Sequence, residues 1–324
     1  MVETITPHEQ KTVEPEGVTQ RPLVKRKRVT GEFRYSFDSQ TPISAPPQIE
    51  PFRPKCVVIL TATDTEYKAV REHLDELSLE WIWPDDTRVH EKMQFHDDGK
   101  SWDVIIIKTG QGGYHATVET LLALQRYKPK TVLFLGTAGG IKTSDLNLGD
   151  VVVANKIYSY EFGRTDKVDD PGTGSEEPKF YARPELYYPD PALTNLAERL
   201  RSKPKWRRRI KEMRNKEEAI DREVREAEVY PGPLATGGQI LASTKASAYK
   251  IIKEHYNDTL AVEMEGFGFI IAVQEDKNVH AAVIRGISDL VEHEDKETTD
   301  QEGWPGIAMA NASAFAFELI ANFS

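Results

Sequence analysis

From Cys56 onward the chain repeats one pattern: a short β-branched run, a turn rich in glycine or threonine, then an amphipathic stretch of helical period. "CVVIL" (56–60) leads through "TATDTE" into "EYKAVREHLDEL" (66–77). "WDVIIIKTG" (102–110) leads through "QGGYHA" into "TVETLLALQRY" (117–127). "KTVLFLGTAGG" (130–140) restarts the scheme before "GDVVVANKIYSY" (149–160). After a polar segment come "GPLATGGQILAS", the helical "KASAYKIIKEHY", "TLAVEMEGFGFIIAVQ" (259–274), the strand "HAAVIRGISDL" and a final helix over 307–323. Apolar runs without polar alternation are strands covered on both faces, and their alternation with helices specifies an α/β fold with a largely parallel sheet. The reading is one domain over 52–324 carrying a long excursion at 164–230. In such folds ligands bind at the carboxyl ends of the strands, where this chain keeps its glycines and isolated acids.

Composition narrows the class further. Residues 1–51 are rich in Pro, Thr, Glu and Gln with little periodicity, and read as a disordered tail. There is no secretory apolar core, and no run approaches the roughly 20 apolar residues of a membrane span, so a cytoplasmic location away from membranes is expected. The lone Cys56 excludes an intramolecular disulfide and argues against a cysteine-built metal site; neither metal nor cofactor is expected. A net charge of −10 argues against a specific nucleic-acid partner. The basic motif "KRKR" (25–28) reads as solvated tail, with a localisation signal or a contact for an acidic partner as the alternative.

The chemistry-bearing positions lie at strand ends. "VEME" places Glu263 and Glu265 on either side of Met264 in an apolar setting, where an unpaired carboxylate costs ~3 kcal/mol or more. "TATDTE" ends in Glu66, "GTAGG" holds Thr137, Ala138 and Gly139, and "GISD" ends in Ser288 and Asp289. Each has a plain alternative. Thr63 to Glu66 is a capping box, Ser288–Asp289 suits a helix N-cap, and glycines serve any sharp turn. "TGQGGYH" departs from the dinucleotide fingerprint because His115 stands where the third glycine belongs.

Taken together and in this order, "GTAGG", "LGDVVVA", "VEMEG" and "RGISD" resemble the nucleoside phosphorylase superfamily, most closely its methylthioadenosine/S-adenosylhomocysteine nucleosidase branch. The resemblance covers roughly 55–163 and 231–324. It implies a three-layer αβα fold with a central mixed, largely parallel sheet, and a purine nucleoside or nucleotide as substrate. By resemblance, Glu265 accepts hydrogen bonds from the ribose 2′ and 3′ hydroxyls, Met264 lines the sugar, and Glu263 stands behind, held by Arg285. Asp289, beside Ser288, matches the general acid that protonates purine N7, and Glu66 matches the acid that orients and deprotonates the attacking water. Thr137, Ala138 and Gly139 fall where the family holds water or phosphate and the ribose. Ile240 and Leu241 match the adenine wall, where an aromatic is usual. The family is typically dimeric or higher, so a homo-oligomer is implied.

Phosphorylases of this superfamily hold phosphate with arginines near the first and third strand ends. Here those ends read "ILTATDTE" and "VLFLGTAGG", without a basic residue, which favours hydrolysis releasing free adenine over phosphorolysis. Retention of all three acids speaks against an idle nucleoside-sensing module. The 5′ side stays open because "KPKWRRRIKEMRNK" (203–216) has two readings. It is either a solvated helix or a lid whose Arg207, Arg208 and Arg209 grip a 5′-phosphate, as an adenine-nucleotide nucleosidase acting as a nucleotide-depleting effector would need.

Overall fold

The computed structural model describes residues 56–81, 90–141, 144–169, 176–183, 185–214, 227–292 and 296–323. The expected tail at 1–51, its basic motif and the acidic end of the excursion lie outside the described residues. In chain order the first half forms β1 (Cys56–Thr61), α1 (Asp64–Arg71), β2 (Asp75–Trp81), β3 (His90–Asp97), β4 (Lys100–Lys108), α2 (Gly113–Tyr127), β5 (Thr131–Gly140) and β6 (Val151–Ser159). The excursion supplies β7 (Gly163–Asp169), β8 (Glu176–Ala182), β9 (Glu185–Tyr187), α3 (Pro191–Leu200) and α4 (Lys205–Arg214). There follow β10 (Val229–Thr236), α5 (Ser247–His255), β11 (Ala261–Glu263), α6 (Gly266–Val273), β12 (His280–Leu290), α7 (Lys296–Gln301) and α8 (Trp304–Asn322). No described helix is long and apolar enough to cross a membrane.

A mixed sheet carries the fold, in the order β11-β10-β6-β12-β5-β1-β4-β3-β2. Its centre, β4-β1-β5-β12, is parallel, as the apolar runs dictate. The expectation of a largely parallel sheet gives way at the flanks, where β3 pairs antiparallel with β4 and with β2, and β6 runs antiparallel to β12. One further pairing closes a ring: β11 joins β10 on one side and returns antiparallel to β5 on the other, with Val262 opposite Gly139. That closure carries Glu263 and Glu265 to the end of the central strand.

Period-2 alternation sorts the strand residues onto two faces. Val57, Ile59, Leu133 and Leu135 pack with Leu196, Trp206 and Phe315 from the helices of one side. Val58, Leu60, Val132 and Phe134 pack with Ala123, Phe269 and Ile270 from α2 and α6.

Two elements depart from the sequence reading. The helix expected over 66–77 stops at Arg71, because the amides of His73 and Leu74 bond back to Val70 and Arg71 in i→i+3 fashion and tighten the last turn. The residues beyond it extend into β2, leaving Leu77 exposed. Helix α2 begins four residues before its expected start. Gly113 lets it approach α6 so closely that a Cβ on Gly268 would overlap the Gly113 backbone.

The basic island is tied into the fold by its own contacts. Its α4 buries Trp206 edge-on to Phe315, ring centroids 5.6 Å apart. Arg209 Nη2 bonds Asp97 Oδ1 at 2.8 Å and Glu318 Oε2 at 3.2 Å, while Lys205 Nζ meets Asp97 Oδ2 at 3.0 Å. Arg207 Nε donates to the Ala227 carbonyl, and Arg208 is exposed. Asp97 closes β3 just before β4 begins, and β4 runs parallel to β1, so these contacts lie where β1 starts. Glu66 lies beyond where β1 ends, roughly 20 Å away at the ordinary rise per strand residue. Of the two readings of Arg207, Arg208 and Arg209, this placement favours a role in the fold over a grip on a substrate phosphate.

Replacing Arg209 with Ala is therefore expected to cost stability and not substrate affinity. Glu318 has a side chain only 2% exposed, and stripping a buried carboxylate of its cation costs about 2–4 kcal/mol. Urea unfolding should show that loss, while KM for ATP and for a neutral nucleoside stays equal to wild type. Burial raises the Asp97 carboxyl, but Arg209 and Lys205 outweigh it and hold the group below its usual value of 3.8. That stabilisation is present above this value and lost as pH falls below it, so the deficit of the variant should narrow in acid. A selective rise in KM for ATP would restore the lid.

Candidate active site

Arg285 organises the carboxyl ends of the central strands. It sits on β12 opposite Gly136 of β5, fully buried, with its guanidinium 4.8 Å from the centroid of the Phe134 ring. A Cβ on Gly136 would overlap Arg285 Nη1 and come within 3.0 Å of Glu66 Oε1, so this glycine leaves room for both side chains. Arg285 Nη2 makes a short ion pair with Glu263 Oε2 and a longer one, 3.4 Å, with Glu265 Oε2. Opposed charges at these distances hold the guanidinium charged and push its pKa up against the desolvation that lowers it.

The two acids of "VEME" have separate tasks. Glu263 is saturated: besides Arg285 it accepts a short hydrogen bond from Thr236 Oγ1 and bonds from the amides of Glu265 (3.0 Å) and Gly266 (2.8 Å). It thereby caps the first turn of α6, where a carboxylate is favoured by the free amides. Glu265 is left under-compensated. Gly112 N–H donates to its Oε1 at 2.8 Å, from a turn that needs glycine because Gly110 and Gly112 sit at φ 86° and 96°. The "TGQGG" turn thus serves a carboxylate of the chain itself. Burial first, with Glu263 and Glu66 adding to it against Arg285, pushes the Glu265 carboxyl up to about 7.

Glu66 is a helix cap that does a second job. Its Oε2 accepts from the amides of Ala62 (2.8 Å) and Thr63 (3.0 Å), and Thr63 Oγ1 in turn accepts from the Glu66 amide, completing the capping box. Its Oε1 faces β5, where it accepts from the Thr137 amide at 3.0 Å. The capping reading of the sequence holds, and the same side chain also reaches β5.

Asp289 is set by a bulge. β12 and β5 slip by one residue between Ile287 and Asp289, which seats Asp289 opposite Gly139 with Ser288 as the extra residue. A Cβ on Gly139 would stand 2.8 Å from Asp289 Oδ2. Oδ1 is engaged elsewhere, accepting from Ser288 Oγ at 2.9 Å and from Lys296 Nζ at 3.3 Å. The alternative of Asp289 as a helix N-cap falls away, since it lies inside a strand.

The structure therefore brings Glu66, Thr137, Ala138, Gly139, Glu263, Glu265, Ser288 and Asp289 to one end of β1, β5, β11 and β12. Met264 lies between the two acids, half-buried. Ile240 and Leu241 part company: Leu241 is committed to an apolar cluster with Tyr160, Val262 and Val291, whereas Ile240 is 60% exposed. Thr236, Gly112 and Lys296 escaped the sequence reading. Only the glycine pair after β4 signalled any of them.

An empty enzyme with Glu265 in this setting should be strained by alkali. Its folded pKa lies above the usual glutamate value of 4.5, so its contribution is full below 4.5 and is lost as pH rises through about 7. Glu265→Gln mimics the protonated form. The substrate-free variant should gain up to about 3 kcal/mol on wild type at pH 8 and little at pH 5, while losing turnover. Thermal unfolding at the two pH values checks this, and an equal effect at both would contradict it.

The chain matches the family model described as the phosphorylase superfamily over residues 57–321. It is 26% identical over 254 residues to the 5′-methylthioadenosine/S-adenosylhomocysteine nucleosidase of Bacillus licheniformis, covering 76% of this chain and 90% of that one. To the nucleosidase of the same description from Bacillus thuringiensis it is 30% identical over 208 residues, covering 61% and 73%. The structure of a nucleosidase of this description from Colwellia psychrerythraea, in complex with adenine, matches with a TM-score of 0.60 at 22% identity, covering 83% and 96%. Futalosine hydrolase of Helicobacter pylori matches with a TM-score of 0.58 at 21% identity, covering 83% and 99%. The two structural matches speak for the fold; the family model spans the whole described core, and the chain belongs to the phosphorylase superfamily.

Proposed function

We propose that the protein is a purine nucleosidase that hydrolyses the N-glycosidic bond of an adenine nucleoside, within a three-layer αβα frame. The observation that carries the reading is the placement of Glu66. Its carboxylate spans the ends of β1 and β5, accepting from the amides of Ala62, Thr63 and Thr137, where a phosphate-using relative places arginines. A carboxylate there repels phosphate and accepts a proton from water.

The steps follow from the positions of the acids. The ribose sits between Met264 and the "GTAGG" turn, with its 2′ and 3′ hydroxyls donating to Glu265. That donation favours the ionised form of Glu265, because a carboxylate is the stronger acceptor for a pair of hydroxyls than a carboxyl that keeps its proton. As the bond from C1′ to N9 lengthens, positive charge grows on the ribosyl ring beside Glu66 and Glu265. Negative charge passes to the purine, and Asp289 Oδ2 delivers a proton to N7, a contribution of about 10²–10⁴-fold for a positioned acid. Water attacks C1′ and gives its proton to Glu66, leaving ribose and free adenine. The carboxylates at either side of the bond divide the acid and base work as they do in glycosidases.

With the basic island at the other end of the strands, a neutral 5′ group such as a thioether is the better fit than a phosphate. Incubation of the full chain with methylthioadenosine, adenosine, AMP and ATP in phosphate-free buffer, followed by chromatography, tests the reading. Free adenine is expected from the neutral nucleosides, at a rate that added phosphate does not raise. Strict dependence on phosphate, with a ribosyl phosphate as product, would overturn hydrolysis; preference for ATP would overturn the neutral substrate.

A further inference from the structure

We propose that Lys296, on the short helix α7, is a positioning residue that fixes which oxygen of Asp289 faces the departing base. The inference rests on the reading of Asp289 as the general acid. Three observations support it. Lys296 Nζ and Ser288 Oγ both donate to the same atom, Asp289 Oδ1, at 3.3 and 2.9 Å. The other oxygen, Oδ2, faces Gly139 of the "GTAGG" turn across the bulge. Lys296 is itself steered from behind by Asp300, one helical turn on, at 3.4 Å from its Nζ.

The chemistry of a carboxylic acid gives this arrangement its purpose. A carboxyl group free to rotate carries its proton on either oxygen, and a proton on the oxygen turned away from N7 is useless. An ammonium group has donors only and accepts no proton bond, so its contact favours keeping the proton on the other oxygen. Lys296 and Ser288 together therefore reserve Oδ1 as the acceptor and leave Oδ2 to carry the proton toward N7. A plain surface ion pair tying α7 to β12 would need only one contact and would have no bearing on which oxygen is reserved.

The test compares two leaving groups in the full-length protein. A purine nucleoside needs protonation of its base, whereas 4-nitrophenyl β-ribofuranoside leaves as a stabilised phenolate without it. In Lys296→Met the ratio of kcat for methylthioadenosine to kcat for the nitrophenyl riboside should fall at least about fivefold, with KM for methylthioadenosine within about twofold of wild type. Lys296→Arg, which keeps an N–H donor, should restore most of that ratio. Asp289→Asn serves as the reference and should collapse the ratio further. An unchanged ratio in Lys296→Met beside a collapsed one in Asp289→Asn would overturn the role of Lys296 alone. An unchanged ratio in both would overturn the general-acid reading and this inference with it. Equal loss on both substrates in Lys296→Met, with a lowered melting temperature, would reduce Lys296 to a tie between α7 and β12 and overturn the proposal.

Discussion

A single buried guanidinium is what the site depends on. Arg285 has no exposed surface, and burying its charge alone would cost several kcal/mol, on the order of 3–5 when a partner is missing. Glu263 meets that charge in a short ion pair, and the face of Phe134 lies beneath it. Because Glu263 takes the closer contact, Glu265 at 3.4 Å is less compensated, and burial pushes its carboxyl up to about 7. The protein thus holds one acid fully satisfied and a second one waiting. The waiting acid is the one a sugar diol can complete.

This division explains why neighbouring carboxylates can occupy an apolar run. Glu263 is structural in its bonds, since it ties Arg285, Thr236 and the first amides of α6 into one node. Glu265 follows two residues later and takes its position from that node. The ring closure of β11 onto β5 then sets both beside the "GTAGG" turn, across from Glu66 and Asp289. Four segments far apart in sequence are joined at strand ends, and glycines at 136 and 139 remove the side chains that would block them.

Much of this was legible beforehand, and the reason is local. The apolar runs at 56–60, 102–107 and 131–135 could only be buried strands, so their carboxyl ends located the site. The motifs "VEME" and "GISD" named acids that the strand ends bring together. The capping box at Thr63 was read rightly as a cap, and local pattern could not reveal that the far oxygen of Glu66 reaches Thr137. Non-local pairings were hidden for the same reason. Nothing in "AVE" (261–263) announces a strand that closes a ring, and the helical period of Val70 and Leu74 runs past the true end of α1. Arginines 207–209 suggested phosphate because composition reports charge without its partners; Asp97 and Glu318, more than a hundred residues away on either side, decide the matter.

The central claim is that Glu265 stands half-protonated near neutrality and is ionised by the sugar diol. Calorimetric titration of the enzyme with an uncleavable C-nucleoside, in buffers of differing ionisation enthalpy at pH 7, counts the protons released on binding. The 2′,3′-dideoxy form of the same compound provides the comparison. With a Glu265 pKa of about 7, the diol form should release about half a proton per site more than the dideoxy form, and that difference should vanish in Glu265→Gln. Equal proton release by the two compounds in the wild-type enzyme would contradict the account.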